Sequence, residues 1–124
     1  MEELTDSHLA TARANRGYAL AIEQDAESLL VSLNWAAVAT FYSALHFVNG
    51  YLWETARLAP ANHHERERII ARWPDLAPHS QSFRLLLDYS VRTRYTPGYH
   101  IHRSDLSVLL NRHLANIARA IENT

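Results

Sequence analysis

The chain has 124 residues, 48% of them apolar, and a formal net charge of -1. That length fits one domain, residues 1–124, large enough to hold a core without covalent staples. The absence of cysteine excludes a disulfide frame, a thiol nucleophile and a cysteine-type zinc site, and the near-neutral charge excludes a globally basic nucleic-acid binder.

The opening segment, MEELTDSHLA, is acidic and polar and lacks the basic-then-apolar order of a secretory signal. No apolar stretch is expected to approach the roughly 20 residues that span a bilayer. The expectation is a soluble, cytoplasmic protein without membrane contact. A first helix is predicted from about Ser7 to Gln24, with Thr5, Asp6 and Ser7 offering N-cap oxygens. Ala10, Ala14, Tyr18, Ala21 and Ile22 recur along it at helical spacing.

A second helix is predicted from about Ser32 or Asn34 to Thr55. Trp35, Val38, Tyr42, Leu45, Asn49 and Leu52 form one stripe and Phe41, Ala44, Val48 and Tyr51 another. A helix apolar on two faces packs on several sides, so this one is central. Core packing is the expected role of Tyr18, Trp35, Tyr42, Tyr51 and Trp53. A short helix follows, about His64 to Trp73, ended by Pro74. A fourth runs from about Ser80 to Tyr95, with Phe83, Leu86, Leu87 and Ser90 inward, and Pro97-Gly98 breaks it. The last runs from about Ser104, a plausible N-cap, to Glu122, with Leu106, Leu109, Leu110, Leu114, Ile117 and Ile121 keeping the 3-4 rhythm. No segment alternates with period two, so no sheet is expected. The fold class is all-α: an antiparallel, up-and-down bundle of four long helices plus one short one.

The segment from Tyr89 to Ser104 holds Arg92, Arg94, Arg103, His100 and His102 and no acid. In a near-neutral protein this is a local positive patch. The first turn of the last helix offers free N–H groups to a phosphate, and an arginine fork can reach it from across the loop. The same helix end disfavours imidazolium and leaves a histidine able to act as a base. Chemically, a neutral histidine would take the proton of an RNA 2′-hydroxyl while arginine stabilises charge on the phosphoryl oxygens; no metal or cofactor is needed. Equally, basic residues at a helix C-terminus stabilise the helix alone. His46 is read as a hydrogen-bonded groove or core histidine, or as a residue backing the Arg94 patch. His63 and His64 read as surface residues, since adjacent histidines point about 100° apart on a helix. No metal site is assigned, although His46, His64 and His100 are the three separated histidines that a bundle could gather.

Three segments resemble the HEPN superfamily (higher eukaryotes and prokaryotes nucleotide-binding domain): Trp35 to His46, with its aromatic pair Phe41-Tyr42; Pro60 to Arg66, with His63 and His64; and Leu87 to Tyr95, ending in Arg92, Arg94 and Tyr95. The resemblance runs from about Ala10 to Ile121. It implies a helical bundle, commonly a homodimer, and a metal-independent endoribonuclease of a toxin–antitoxin or phage-defence system, with RNA and an antitoxin or other protein as partners. The family motif, an arginine followed after four to six residues by a histidine, is met by Arg94 and His100. On this reading Arg94 and His100 are catalytic, Arg92, Tyr95, His102 and Arg103 hold substrate, and His46 and Tyr42 support the site. The alternative is a non-catalytic binding or assembly module of the same fold.

Overall fold

A computed structural model describes residues 3–122. Among them every regular element is helical and none is a strand: α1 Glu3–Gln24, α2 Leu30–Ala56, α3 His63–Arg72, a 3-10 turn Ala77–His79, α4 Ser80–Tyr95, α5 Arg103–Val108, a π-helical stretch Leu109–Leu114 and α6 Ala115–Glu122. The last three follow one another without a break and form one rod.

The helix ends differ from the sequence expectation where caps were inferred from side-chain type. Thr5, Asp6 and Ser7 lie inside α1. The α2 helix begins at Leu30, after an extended Leu29 that has no side-chain cap. It ends with Arg57 at φ 53, and the Leu58 N–H reaches back to the Leu52 carbonyl at 3.2 Å, a Schellman-type closure. Ser104 also caps nothing: α5 starts one residue earlier, after His102. The expected boundaries of α4 hold at both ends. Beyond it, the Tyr99 N–H meets the Thr96 carbonyl at 3.1 Å, with Pro97 and Gly98 between them. Proline followed by a glycine at φ 78 fits a type II turn.

The α1 helix runs against α2 in the opposite sense. Thr5 donates to Glu54 at 3.1 Å, His8 meets His46, and the Ser43 hydroxyl donates to the Ala12 carbonyl at 2.7 Å. Gly50 sits at this crossing. A Cβ there would lie 3.1 Å from the His8 Cβ, so the absent side chain lets the backbones close up.

The core is built on α2. Phe41, Ala44, Phe47 and Leu52 are wholly buried, with Phe83 and Leu86 of α4 and Leu106, Leu109, Leu110, Leu114 and Ile117 of the last rod. Phe41 and Phe83 meet edge to face, centroids 5.6 Å apart, a favoured aromatic geometry. Behind α3, the Trp73 indole N–H donates to the Tyr51 hydroxyl (3.2 Å), which donates to Asp75 (2.7 Å). That chain fixes the α3–α4 connection to α2.

Two sequence expectations need correcting. By length and mean hydropathy, 1.2, α2 is long and apolar enough to cross a membrane, although 67% of that window is buried inside the protein. Its apolarity is explained by packing on two sides, as for the core helix of any bundle. Second, Trp35 is 55% and Tyr18 49% exposed, so neither is a core residue. Tyr51 is buried, while Tyr42 and Trp53 are half-buried.

Candidate functional site

The exposure of Trp35 follows from how α2 is covered. Its residues Trp35, Tyr42, His46, Asn49 and Trp53 recur at helical spacing, and all stay exposed or half-buried. They form a third face, flanked by α1 on one side and by α3 and α4 on the other. Each flank sends polar groups onto it.

From α4 comes Arg94. Its Nε donates to the Ser90 carbonyl (3.1 Å) and one terminal nitrogen donates to the Tyr42 hydroxyl (3.3 Å). The guanidinium also lies 5.7 Å from the Tyr42 ring centre and 5.2 Å from that of Tyr95, within cation–π range. An open hollow of about 420 Å³ lies beside it, lined by Val31, Asn34, Trp35, Val38, Thr93 and Tyr95 as well as Arg94. Tyr95 is 70% exposed.

From α3 come His63 and Arg66, three residues apart and so on one side of the helix. Asn62 caps that helix by accepting from the Glu65 N–H at 2.8 Å. Arg66 is only 6% exposed. Its Nε donates to Asn49 Oδ1 at 2.9 Å, and a terminal nitrogen lies 3.0 Å from His63 Nδ1. A guanidinium only donates, so Nδ1 accepts and the neutral His63 ring carries its proton on Nε2. The His63 ring rests edge-on against Phe41, centroids 5.5 Å apart. From α1 comes His8, whose Nδ1 lies 3.0 Å from the Nδ1 of His46. One of these two nitrogens donates and the other accepts.

The electrostatics of this face are consistent. Burial and then the Arg66 charge lower the pKa of His8; burial, His8 and Arg66 lower that of His46. His63 is lowered by burial, Arg66 and Arg94, against an upward pull from Glu67. Burial draws even Arg66 below its usual range, opposed by Glu65 and Tyr42. Among the described residues the ion pairs are Arg13–Glu122, Arg84–Glu67 and Arg84–Asp88. Among the described residues neither Arg66 nor Arg94 makes an ion pair with a carboxylate.

The structure brings Arg94, Tyr42 and Tyr95 together and leaves other sequence candidates apart. Arg92 is two residues from Arg94, about 200° around α4. It lies over the rings of Tyr89 (4.9 Å) and Tyr99 (5.5 Å). Arg103 turns back to the carbonyls of Ile22 and Glu23, where it serves the C-terminal end of α1. Asn34 pins the 99–101 segment with both ends of its amide, donating to the Tyr99 carbonyl (2.8 Å) and accepting from the Ile101 N–H (2.9 Å). In extended chain, neighbouring side chains point opposite ways. Ile101 is buried, so His100 and His102 face solvent. Among the described residues no hydrogen bond, ion pair or ring contact joins His100 to Arg94.

His46 is hydrogen-bonded in the groove, one of the two roles read for it. His64 is exposed, and among the described residues no group of three or more potential ligands is gathered for a metal. The sequence reading did not single out His8 or Asn49, and Arg66 entered it only within the Pro60–Arg66 resemblance. The available signal was the His63/Arg66 spacing on α3. Comparison with protein-family models, curated proteins and solved structures finds no match.

Proposed function

We propose that this chain is a HEPN-like RNA-binding module that holds a single strand along the uncovered face of α2. The reading takes the whole chain as an antiparallel bundle of four long helices and one short one, acting in the cytoplasm within a toxin–antitoxin or phage-defence assembly. Pairing of two copies belongs to it, supported by the exposed Leu29, Leu30 and Val31 at the start of α2.

One observation carries the reading. Exposed aromatic rings, Trp35 and Tyr95, adjoin the Arg94 guanidinium, which makes no ion pair with a carboxylate among the described residues. Unstacked bases pack on aromatic side chains and phosphates take arginine forks; single-strand grooves combine these two features. The His63 Nε2–H adds a donor beside Arg66. That imidazole is a poor general base, because Arg66 already occupies its Nδ1 lone pair. Binding is therefore the first reading and cleavage the second. The second is favoured by the solvent-facing His100, free to meet a phosphate held by Arg94 of a paired copy.

The test is fluorescence anisotropy with labelled single-stranded RNA of about twelve nucleotides and with its duplex, in EDTA. Single strands should bind more tightly than duplex. Trp35→Ala and Arg94→Ala should each weaken binding about tenfold, in line with the loss of one stacked base or one phosphate contact. Affinity unchanged from the parent protein in both variants, or no binding at low salt, would refute the reading. Intact RNA in the same tubes separates a module from a nuclease, and cleavage lost in His100→Ala would reverse that order.

A further inference from the structure

The end of the same face around Arg66 has a chemistry of its own. This inference rests on the RNA-binding reading for the identity of the strand, while its local argument stands on Arg66 alone. An arginine that is 6% exposed is ordinarily matched by a carboxylate, since a buried charge is costly unless it is paired. Arg66 has two neutral acceptors instead, Asn49 Oδ1 and His63 Nδ1. The nearby acids are engaged elsewhere: Glu65 accepts from the Ala61 N–H and Glu67 from Arg84. The positive charge is thus held in place with no carboxylate bonded to it among the described residues, and Glu65 offsets it only through space.

We propose that Arg66, His63 and the His8–His46 pair form a subsite for a terminal phosphate monoester, so that the protein grips the phosphorylated end of an RNA strand. The donors come from three helices, with Arg66 close enough for its charge to act on all three rings. Arg66 supplies its guanidinium and His63 its Nε2–H. In the His8–His46 pair the ring that accepts at Nδ1 must carry its proton on Nε2, a further donor. A monoester near neutral pH carries about 1.5–2 negative charges and three terminal oxygens, whereas an internal diester carries one charge and two free oxygens. A site with one permanent cation and several imidazole donors discriminates in favour of the monoester. The charged and titratable groups facing the subsite are His8 from α1, Tyr42 and His46 from α2, His63, Glu65, Arg66 and Glu67 from α3, and Arg94 from α4. Burial first, and the Arg66 charge after it, lower the pKa values of these imidazoles; a bound dianion would oppose the effect of that charge and draw protons onto them.

The test uses the full chain and three oligoribonucleotides of one sequence: 5′-phosphorylated, 3′-phosphorylated and hydroxyl at both ends. One phosphorylated form should bind about tenfold or more tightly than the hydroxyl form, and the arm that gains identifies which end is held. Arg66→Met and His63→Gln should each remove the preference. If Arg66→Met does not fold, His63→Gln decides, since His63 is an exposed first-turn residue of α3. Arg94→Ala should weaken all three oligonucleotides alike. In parallel, inorganic phosphate should shift the His8, His46 and His63 ring proton resonances. Equal affinities for the three strands, or a preference that survives His63→Gln, would overturn the subsite. Strands that bind equally while phosphate moves no histidine resonance sink the subsite alone. Phosphate that moves those resonances while no strand binds supports the subsite and sinks the RNA reading.

Discussion

Replacing Arg66 by methionine tests whether its guanidinium is present for an anion or for the fold. The side chain is buried and makes two hydrogen bonds, to Asn49 and His63. Bonds from a charged donor contribute about 1.5–3 kcal/mol each, so their loss costs on the order of 3–6 kcal/mol. Against this stands the cost of keeping the charge out of water, several kcal/mol after relaxation. The partners left behind are not stranded, because Asn49 is half-buried and His63 exposed, so water can reach both. Methionine preserves the apolar stem and fills irregular space. The two sums nearly cancel, and Arg66→Met should change unfolding stability by no more than about 1 kcal/mol. Arg66→Ala removes the stem as well and should cost about 2 kcal/mol or more. Urea denaturation followed by circular dichroism at neutral pH measures both. A loss above about 3 kcal/mol in Arg66→Met, with an unchanged denaturant slope, would mean that the guanidinium braces α3 against α2. The anion argument would then lose its physical basis.

Two further outcomes follow from the histidines and from the turn that Asn34 holds. His8, His46, His63 and His113 all have folded-state pKa values below the ordinary 6.5; the folded protein therefore refuses protons that the unfolded chain accepts. Stability should be full above about pH 6.5 and fall as the pH drops below it, levelling only where the folded imidazoles themselves protonate. A urea midpoint that is flat or rises on acidification through that range would contradict the assignment. Asn34→Ala removes both bonds to the 99–101 segment. It should cost about 1–3 kcal/mol and speed hydrogen exchange at the Ile101 amide, leaving α1 amides unchanged; an unaltered Ile101 rate would show that the turn stands without Asn34.

The helical class was readable from hydrophobic spacing, and the end of α4 from Pro97-Gly98. The caps were harder to read. Ser7 and Ser104 have the right chemistry, but α1 starts at Glu3, where the buried Thr5 bonds to Glu54 of α2, and α5 starts at Arg103, which bonds to the end of α1. Which face of α2 stays open was not legible, since Trp35, Phe41 and Tyr42 carry the same apolar label. Only the placing of α1 and α4 decides that Phe41 is buried and Trp35 is not. The His8–His46 contact joins residues 38 apart in sequence, and its local cue, Gly50, sits on the facing helix. The Arg94–His100 spacing is a linear pattern that ignores the Thr96–Tyr99 turn; that turn and the buried Ile101 decide where the imidazole points.

The wide turn at Leu109–Leu114 carries a consequence for sequence change. A π-helical turn closes over about one more residue than an α-helical turn. Deleting one outward-facing residue there, Asn111 or Arg112, would let the rod relax to ordinary winding, with Leu106 and Ile117 still directed at the core. A deletion of the same size in α2 would rotate half of its packed surface out of register. The final rod is thus the part of the chain where length variation is tolerable, and its cost falls on the Ser82–His113 hydrogen bond, made from within the widened turn.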